Sequence, residues 1–455
     1  MNILIVGNGF DLSHYLPTKY DHFMVAMLAI ENWENAGKEM GFDDLFGKDY
    51  WHKNDKIGEE WQNSFFQHTK AIYQTEEIKI SVDEIEKLKK QLKENCWYQY
   101  FSDHVKEVKT WIDFETKIEE ALILVCKFIK QIAAKFELSG KFNEGIYLDI
   151  FKKDKEKNYH LSTLELSFLE KLGLIQKNPN YGKTNPRSSV ISKDLKLADI
   201  NSKWFVVPEK EQYGFSTEKY ISFLNQQLED FIEIFNFYLE EVVKKLKPKN
   251  AFQPLKSNDY DLKEIANIYS FNYTQTYLDF YNSKTEISFL HGRSGEDQNM
   301  VLGISELEDD VLKKIKAYGF TKYHQKLMKN TNYGFLNHNE EFDNLVNPSG
   351  MREGEIIQIN IWGHSLDVSD EDYIQEIFSF NGNEDQYVRV TVFYFDTSAK
   401  FSLLANLLHI LGKEKVEHWM KQGWLKFEPN PDIAQLNQIQ PVELPKSTQI
   451  KKDDI

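Results

Sequence analysis

Four short stretches join an apolar run to residues that could do chemistry. Gly7-Asn8-Gly9-Phe10-Asp11 follows the run Ile3–Val6. Two glycines after a strand let the backbone turn sharply and approach a ligand, and the amides of a following helix then point at an anion. Leu12 and Ser13 follow instead of a third glycine, so the motif by itself also describes a tight strand–helix turn. A carboxylate beside a pyrophosphate is repulsive. Asp11 therefore suits a ribose hydroxyl, a cation or a backbone amide. Phe271-Asn272-Tyr273-Thr274 ends a second run, and Asn272 offers a donor and an acceptor at the edge where open α/β sheets bind ligands. An Asn capping the next helix is the plain alternative. Leu290-His291-Gly292 ends a third run, where His291 can accept a proton from a sugar hydroxyl or a water, or be an ordinary structural histidine. Trp362-Gly363-His364-Ser365-Leu366-Asp367 ends a fourth, with Asp370 and Tyr373 beyond it. Gly363 permits close approach, and Ser365 and Asp367 can meet a phosphate or a ribose. Equally, Ser369 can cap a helix with Asp370 in its first turn. A fifth stretch, Trp111-Ile112-Asp113-Phe114-Glu115, reads as a helix start with Asp113 as its cap.

These residues need a sheet to bring them to one rim. Candidate strands are Ile3–Val6, Ile265–Phe271, Glu286–Leu290, Met300–Ile304, Ile356–Trp362, Tyr387–Phe395 and Trp424–Phe427. Helical patterns lie between the later ones, at Asp310–Lys329, Ser369–Phe378 and Lys400–Leu411. Strand–helix alternation predicts a mostly parallel α/β sheet. Thr18, just after Pro17, reads as the start of a capped helix that continues through Phe23–Ile30. Apolar periodicity then predicts long amphipathic helices over Asp83–Gln99, Phe114–Phe136 and Tyr220–Leu246. The expected organisation is a split core: residues 1–35, a mainly helical insertion over 36–254, the rest of the core over 255–428, and a poorly ordered tail over 429–455. The insertion is about 220 residues long, judged from the switch of hydrophobic period.

The chain has 455 residues with 55 Lys+Arg against 71 Asp+Glu, a net charge of −16. That acidity disfavours broad binding to nucleic acid or to an anionic membrane. An anionic ligand would need a locally neutral or positive cleft, and Arg293 is the candidate side chain to provide it. Hydrophobic residues make up 41% of the chain, which is ample for a core. Cys96 and Cys126 are the only cysteines, too few for a four-cysteine zinc module or a disulfide framework. No metal-ligand spacing stands out. No apolar run approaches the roughly 18 residues of a spanning helix, and a cytoplasmic location is the simplest reading.

The blocks together resemble the AbiH family of phage abortive-infection proteins. Gly7-Asn8-Gly9-Phe10-Asp11-Leu12 with His14, Leu16-Pro17-Thr18 and Tyr20 is similar to its opening. Phe271-Asn272-Tyr273-Thr274 with Thr276, His291-Gly292, and Gly363-His364-Ser365-Leu366-Asp367 with Asp370 are similar to its later blocks, in order. Trp111-Ile112-Asp113-Phe114-Glu115 resembles its helical part. The resemblance is spread from Ile3 to about Gly412, and residues 38–98 and 140–215 carry none of it. The same blocks are more distantly similar to the sirtuin-type NAD-binding fold, with Thr274 where that fold has Asp. This second resemblance implies a Rossmann-like sheet with NAD as ligand or substrate, and some phage-defence members of that superfamily hydrolyse NAD. It sets Asn272 and His291 beside the nicotinamide ribose as catalytic residues. It gives Gly7, Asn8, Gly9, Phe10, Asp11, Thr18, Gly292, Gly363, His364, Ser365 and Asp367 to cofactor binding.

The favoured expectation is an NAD glycohydrolase-like hydrolase in phage defence. The alternatives are a nucleotide-binding sensor or interaction module without catalysis, and a nuclease effector with Asp11, Asp367 and Asp370 on Mg²⁺. A phage-derived or host protein contacting the helical insertion is the expected trigger, and a homo-oligomer is an open option.

Overall fold

A computed structural model of the protein describes residues 1–35, 37–47, 56–102, 111–139, 163–177, 198–206, 214–255, 262, 264–331, 334–339, 342, 356–381, 385 and 387–442. The chain forms two compact units. The first comprises Met1–Lys89, Phe235–Ser305 and Lys322–Ile455, and the second Lys90–Ile234 and Glu306–Thr321.

The first unit holds a six-stranded sheet: β1 (Asn2–Val6), β2 (Asn267–Ser270), β3 (Glu286–Phe289), β4 (Ile357–Trp362), β5 (Val388–Tyr394) and β6 (Leu425–Pro429). Every pairing is parallel, and the order across the sheet is β3-β2-β1-β4-β5-β6. Parallel strands covered on both faces read as unbroken apolar runs. Ile3 and Ile5 enter one core with Ile359, Ile361, Val390 and Val392, while Leu4 and Val6 enter the other with Ile268, Trp362 and Phe393. This is the α/β, Rossmann-like architecture expected from the sequence, with all six strands of this sheet parallel.

Register sets the rim. Val6 pairs with both Trp362 and Ser270, and Ser270 pairs with Phe289. The next residues of the four strands, Gly7, Gly363, Phe271 and Leu290, therefore emerge side by side at the carboxyl edge.

Helix α1 (Asn8–Ser13) starts directly after Gly7, so Asn8 and Gly9 are already helical. Helix α2 (Tyr20–Glu31) starts after Lys19, whose side chain makes no cap bond and pairs with Asp21 instead. Thr18 thus precedes the cap position. Met300–Ile304 is not a strand. The side chain of Gln325 satisfies Leu302, accepting from its N–H at 3.0 Å and donating to its carbonyl at 2.9 Å, where a neighbouring strand would bond. The helical pattern from Asp310 breaks where Lys316 takes a left-handed conformation, leaving Asp310–Lys314, a short turn at Ala317–Phe320, and α3 (Lys322–Met328). Helices α4 (Glu371–Ile377) and α5 (Thr397–Leu411) follow β4 and β5. Beyond β6, Ile433–Leu436 is helical and Ile433 is buried, while residues 443–455 lie outside the described residues.

The second unit contains the helices Cys96–Ser102, Trp111–Ser139 and Thr163–Lys171, and most of Thr217–Tyr238. Its core is aromatic: Phe114 stacks on Phe231 at 5.4 Å and Trp97 on Phe101 at 5.7 Å. Asp113 lies in the first turn of its helix instead of capping it. Both cysteines are buried and outside any disulfide, and burial pushes the Cys96 thiol up. Among the described residues no helix is long and apolar enough to cross a membrane.

Candidate functional site

The strand order reverses between β1 and β4. In open sheets of this order, dinucleotides lie at the carboxyl edge near such a reversal. Here the two loops meet backbone to backbone. Gly9 N–H donates to the Gly363 carbonyl at 2.9 Å. A Cβ on Gly363 would stand 2.0 Å from the Phe10 nitrogen, and one on Gly7 or Gly9 would meet the facing loop at 2.6 or 2.7 Å. The glycines thus serve the mutual approach of the loops.

Beside this seam lies a buried carboxylate. Asp11 Oδ2 accepts from Thr274 Oγ1 at 2.5 Å, and Thr276 Oγ1 donates to Thr274 Oγ1 at 3.3 Å. Asp11 Oδ1 is buried with no hydrogen-bond partner. Burial pushes the Asp11 carboxyl up to about 6, although Thr274, Thr276 and Asn272 pull it back. Asn272 Nδ2 donates to the Gly7 carbonyl at 2.9 Å, tying the end of β2 to the end of β1. His14 braces α1 from below. Its Nδ1 bonds the Phe10 carbonyl at 2.7 Å and so carries the hydrogen, which leaves Nε2 to accept from the Tyr281 hydroxyl at 2.6 Å. Burial brings the His14 ring down to about 4.

Thr274 and Thr276 also line a small cleft, about 50 Å³ in volume, that opens to solvent. Tyr273, Phe280 and Phe289 give it apolar surface, and Arg293, Lys247 and Asp279 give it charge. Lys244 pairs with Glu240, whereas Arg293 and Lys247 make no ion pair among the described residues.

A second polar group gathers beyond Phe271. His291 Nε2 stands 3.3 Å from Asp370 Oδ1, within ion-pair range but off the direction of a hydrogen bond. His364 Nδ1 accepts the Leu366 N–H at 3.0 Å, which places the hydrogen on Nε2, 3.3 Å from Asp370 Oδ2. Burial alone would raise Asp370, but Lys322 at 3.7 Å, with both histidines, more than reverses this and holds the carboxyl well below its usual range. Burial drives His291 down to about 3. The Phe271 ring contacts His364 at 4.1 Å, and His291 and Tyr373 at 5.2 Å each.

The sequence-predicted residues therefore fall into two groups. Gly7, Gly9, Phe10, Asp11 and Asn272 gather at β1 and β2, and His291, His364 and Asp370 gather at β3 and β4. Gly292 turns the chain against Asn299. Asp367 caps the turn Val368–Asp370 by accepting from Ser369 N–H at 3.0 Å. The Ser365 carbonyl takes an Asn406 amide at 3.0 Å. Asn8 opens α1 and Thr18 is buried. Asp11, Asp367 and Asp370 each have a different partner, and no group of three metal-ligating side chains forms among the described residues. Lys322, Lys247 and Tyr281 were missed, because each lies in a stretch that reads as ordinary helix or loop.

The family model for bacteriophage abortive infection AbiH matches residues 3–394. No curated protein and no solved structure matches the chain. The matched span takes in all four strand ends that build the rim, and the chain belongs to the bacteriophage abortive infection AbiH family.

Proposed function

We propose that the protein serves abortive infection by binding a nucleotide, NAD first among candidates, at the carboxyl edge of the sheet and hydrolysing its N-glycosidic bond. The observation that carries this reading is the strand order β3-β2-β1-β4-β5-β6, with glycines ending the two strands where the order reverses. Because the glycine loops fill the space between themselves, the ligand is assigned to the adjoining cleft. Arg293 and Lys247 there offset the −16 of the whole chain and suit a pyrophosphate. Tyr273, Phe280 and Phe289 offer a base an apolar surface.

The reaction asks little of the protein beyond placement. Nicotinamide leaves a pyridinium glycoside with the bonding electrons and departs neutral, so the leaving group needs no acid. The chain must orient the ribose, hold a water and accept one proton. Asn272 and His291, the residues that the sirtuin-type resemblance sets beside the ribose, keep this edge in shape. Asn272 locks the β1 and β2 ends together, and His291 joins His364 on Asp370. A sensor without catalysis is the second reading, favoured by the burial of both His291 and Asp11.

Purified protein, alone and with phage lysate, is assayed for nicotinamide release and for a shift in melting temperature with NAD. Release supports hydrolysis. A shift without product supports the sensor. Neither signal under any condition overturns both readings.

A further inference from the structure

We infer that the Asp11 carboxylate is the proton acceptor for the hydrolytic water, reached from the cleft through the hydroxyls of Thr274 and Thr276. The inference rests on the hydrolytic reading above and names the group that reading leaves open. Three observations converge on it. Both threonines line the cleft assigned to the ligand. Each hydroxyl donates inward, Thr276 to Thr274 and Thr274 to Asp11 Oδ2, so the chain of donors ends on the carboxylate. Asp11 Oδ1 is buried without a partner, so the carboxylate has spare accepting capacity at a place closed to bulk water.

The proton path balances. The water oxygen bonds to the ribose carbon as the glycosidic bond breaks, and that bond's electrons leave with nicotinamide. The water proton passes to Thr276 Oγ1 as the Thr276 proton passes to Thr274 Oγ1 and the Thr274 proton passes to Asp11 Oδ2. Asp11 later returns it along the same hydroxyls to the cleft, which accounts for the one proton produced per turnover. No oxidant, reductant or second acid is required.

The surroundings tune Asp11 for this task. Burial raises it to about 6, and the neighbouring side chains of Thr274, Thr276 and Asn272 moderate the rise. From the helix Thr276–Phe280, Asp279 adds a push in the same direction and is itself faced by Lys244 and Lys247. On α1 itself, His14 is buried and neutral near pH 7. The buried Tyr73 phenol also faces the carboxylate. A base that titrates near neutrality is the efficient one at cellular pH. His291, brought down to about 3, is a weaker acceptor by comparison.

The test compares wild type with Asp11→Asn, Thr274→Val and Thr274→Ser, reading nicotinamide release from pH 5 to 8 and NAD-induced thermal stabilisation. Wild-type release should fall as pH drops through about 6. Asp11→Asn should lose about 100-fold or more in rate, and with it the acid limb of the profile, while NAD still stabilises it. Thr274→Val should lose roughly 10-fold or more, and Thr274→Ser should recover most of that loss. Wild-type rates in Asp11→Asn, or an unchanged acid limb, overturn the assignment and leave the hydrolytic reading standing. NAD stabilisation of wild type without any release overturns the hydrolytic reading and the relay with it.

Discussion

Replacing Asp11 by Asn should change how stability depends on pH, whether or not a ligand is present. The folded protein raises this carboxyl from 3.8 to about 6, because burial disfavours its charge. At 1.36 kcal/mol per unit, a shift of that size corresponds to roughly 3 kcal/mol. The folded state binds the proton more tightly than the unfolded state, so the contribution is fully present below about 3.8 and is lost as pH rises through about 6. Above that, wild type carries the burden of a buried carboxylate. Asn is nearly the same shape, can still accept from Thr274, and does not titrate. The stability of Asp11→Asn minus that of wild type should therefore rise with pH by roughly 3 kcal/mol between acid and neutral conditions, then level off. Urea denaturation at half-unit pH steps, from 7.5 down to the lowest pH at which both stay folded, measures this difference. All other titrating groups cancel in it. A constant offset between the two curves across pH 5 to 7 would refute the placement of Asp11 as a buried, upward-shifted acid.

Acid should destabilise the wild type through its buried histidines. His14 and His22 are brought to about 4 and His291 to about 3, chiefly by burial, so their contribution is present above 6.5 and lost as pH falls toward those values. Melting temperature should drop steeply between pH 6.5 and 4, and a flat profile would contradict the burial. Gly363→Ala should cost about 3 kcal/mol or more, since a Cβ would stand 2.0 Å from the Phe10 nitrogen at a φ of +76°. Near-wild-type denaturation by that variant would mean the two loops do not touch. Asp370→Ala should cost about 3–5 kcal/mol by removing the buried carboxylate that faces Lys322, His291 and His364, whereas Asp367→Ala, the loss of a cap, should cost about 1 kcal/mol. Chemical denaturation of the pair should separate them clearly. Arg293→Ala should weaken NAD-induced stabilisation by about 10-fold in apparent affinity and leave the ligand-free melting temperature in place.

Much of this was legible because parallel strands buried on both faces leave continuous apolar runs. The stretches around Ile3–Val6 and Ile357–Trp362 could be read for that reason, and their ends marked the rim. The sequence also pointed to Asp11, through its poor fit beside a phosphate. What it could not convey was proximity. Lys322 sits on a helix far along the chain, and only folding brings it to Asp370. The glycines misdirect in a physical sense, since the freedom that admits a ligand also admits another loop, and here Gly363 meets Gly9. Met300–Ile304 has the composition of a strand, yet its backbone bonds go to scattered partners, with Gln325 at Leu302, Lys329 at Met300 and His291 at Val301, and not to a neighbouring strand.

The central claim, that a nucleotide occupies the cleft beside Asp11, is tested most directly by a crystal structure of Asp11→Asn soaked with NAD. Density for the dinucleotide lying against Thr274 and Thr276, with its pyrophosphate at Arg293 and Lys247, is the result expected. An empty cleft at saturating NAD, or NAD bound at a different place on the protein, would contradict the account.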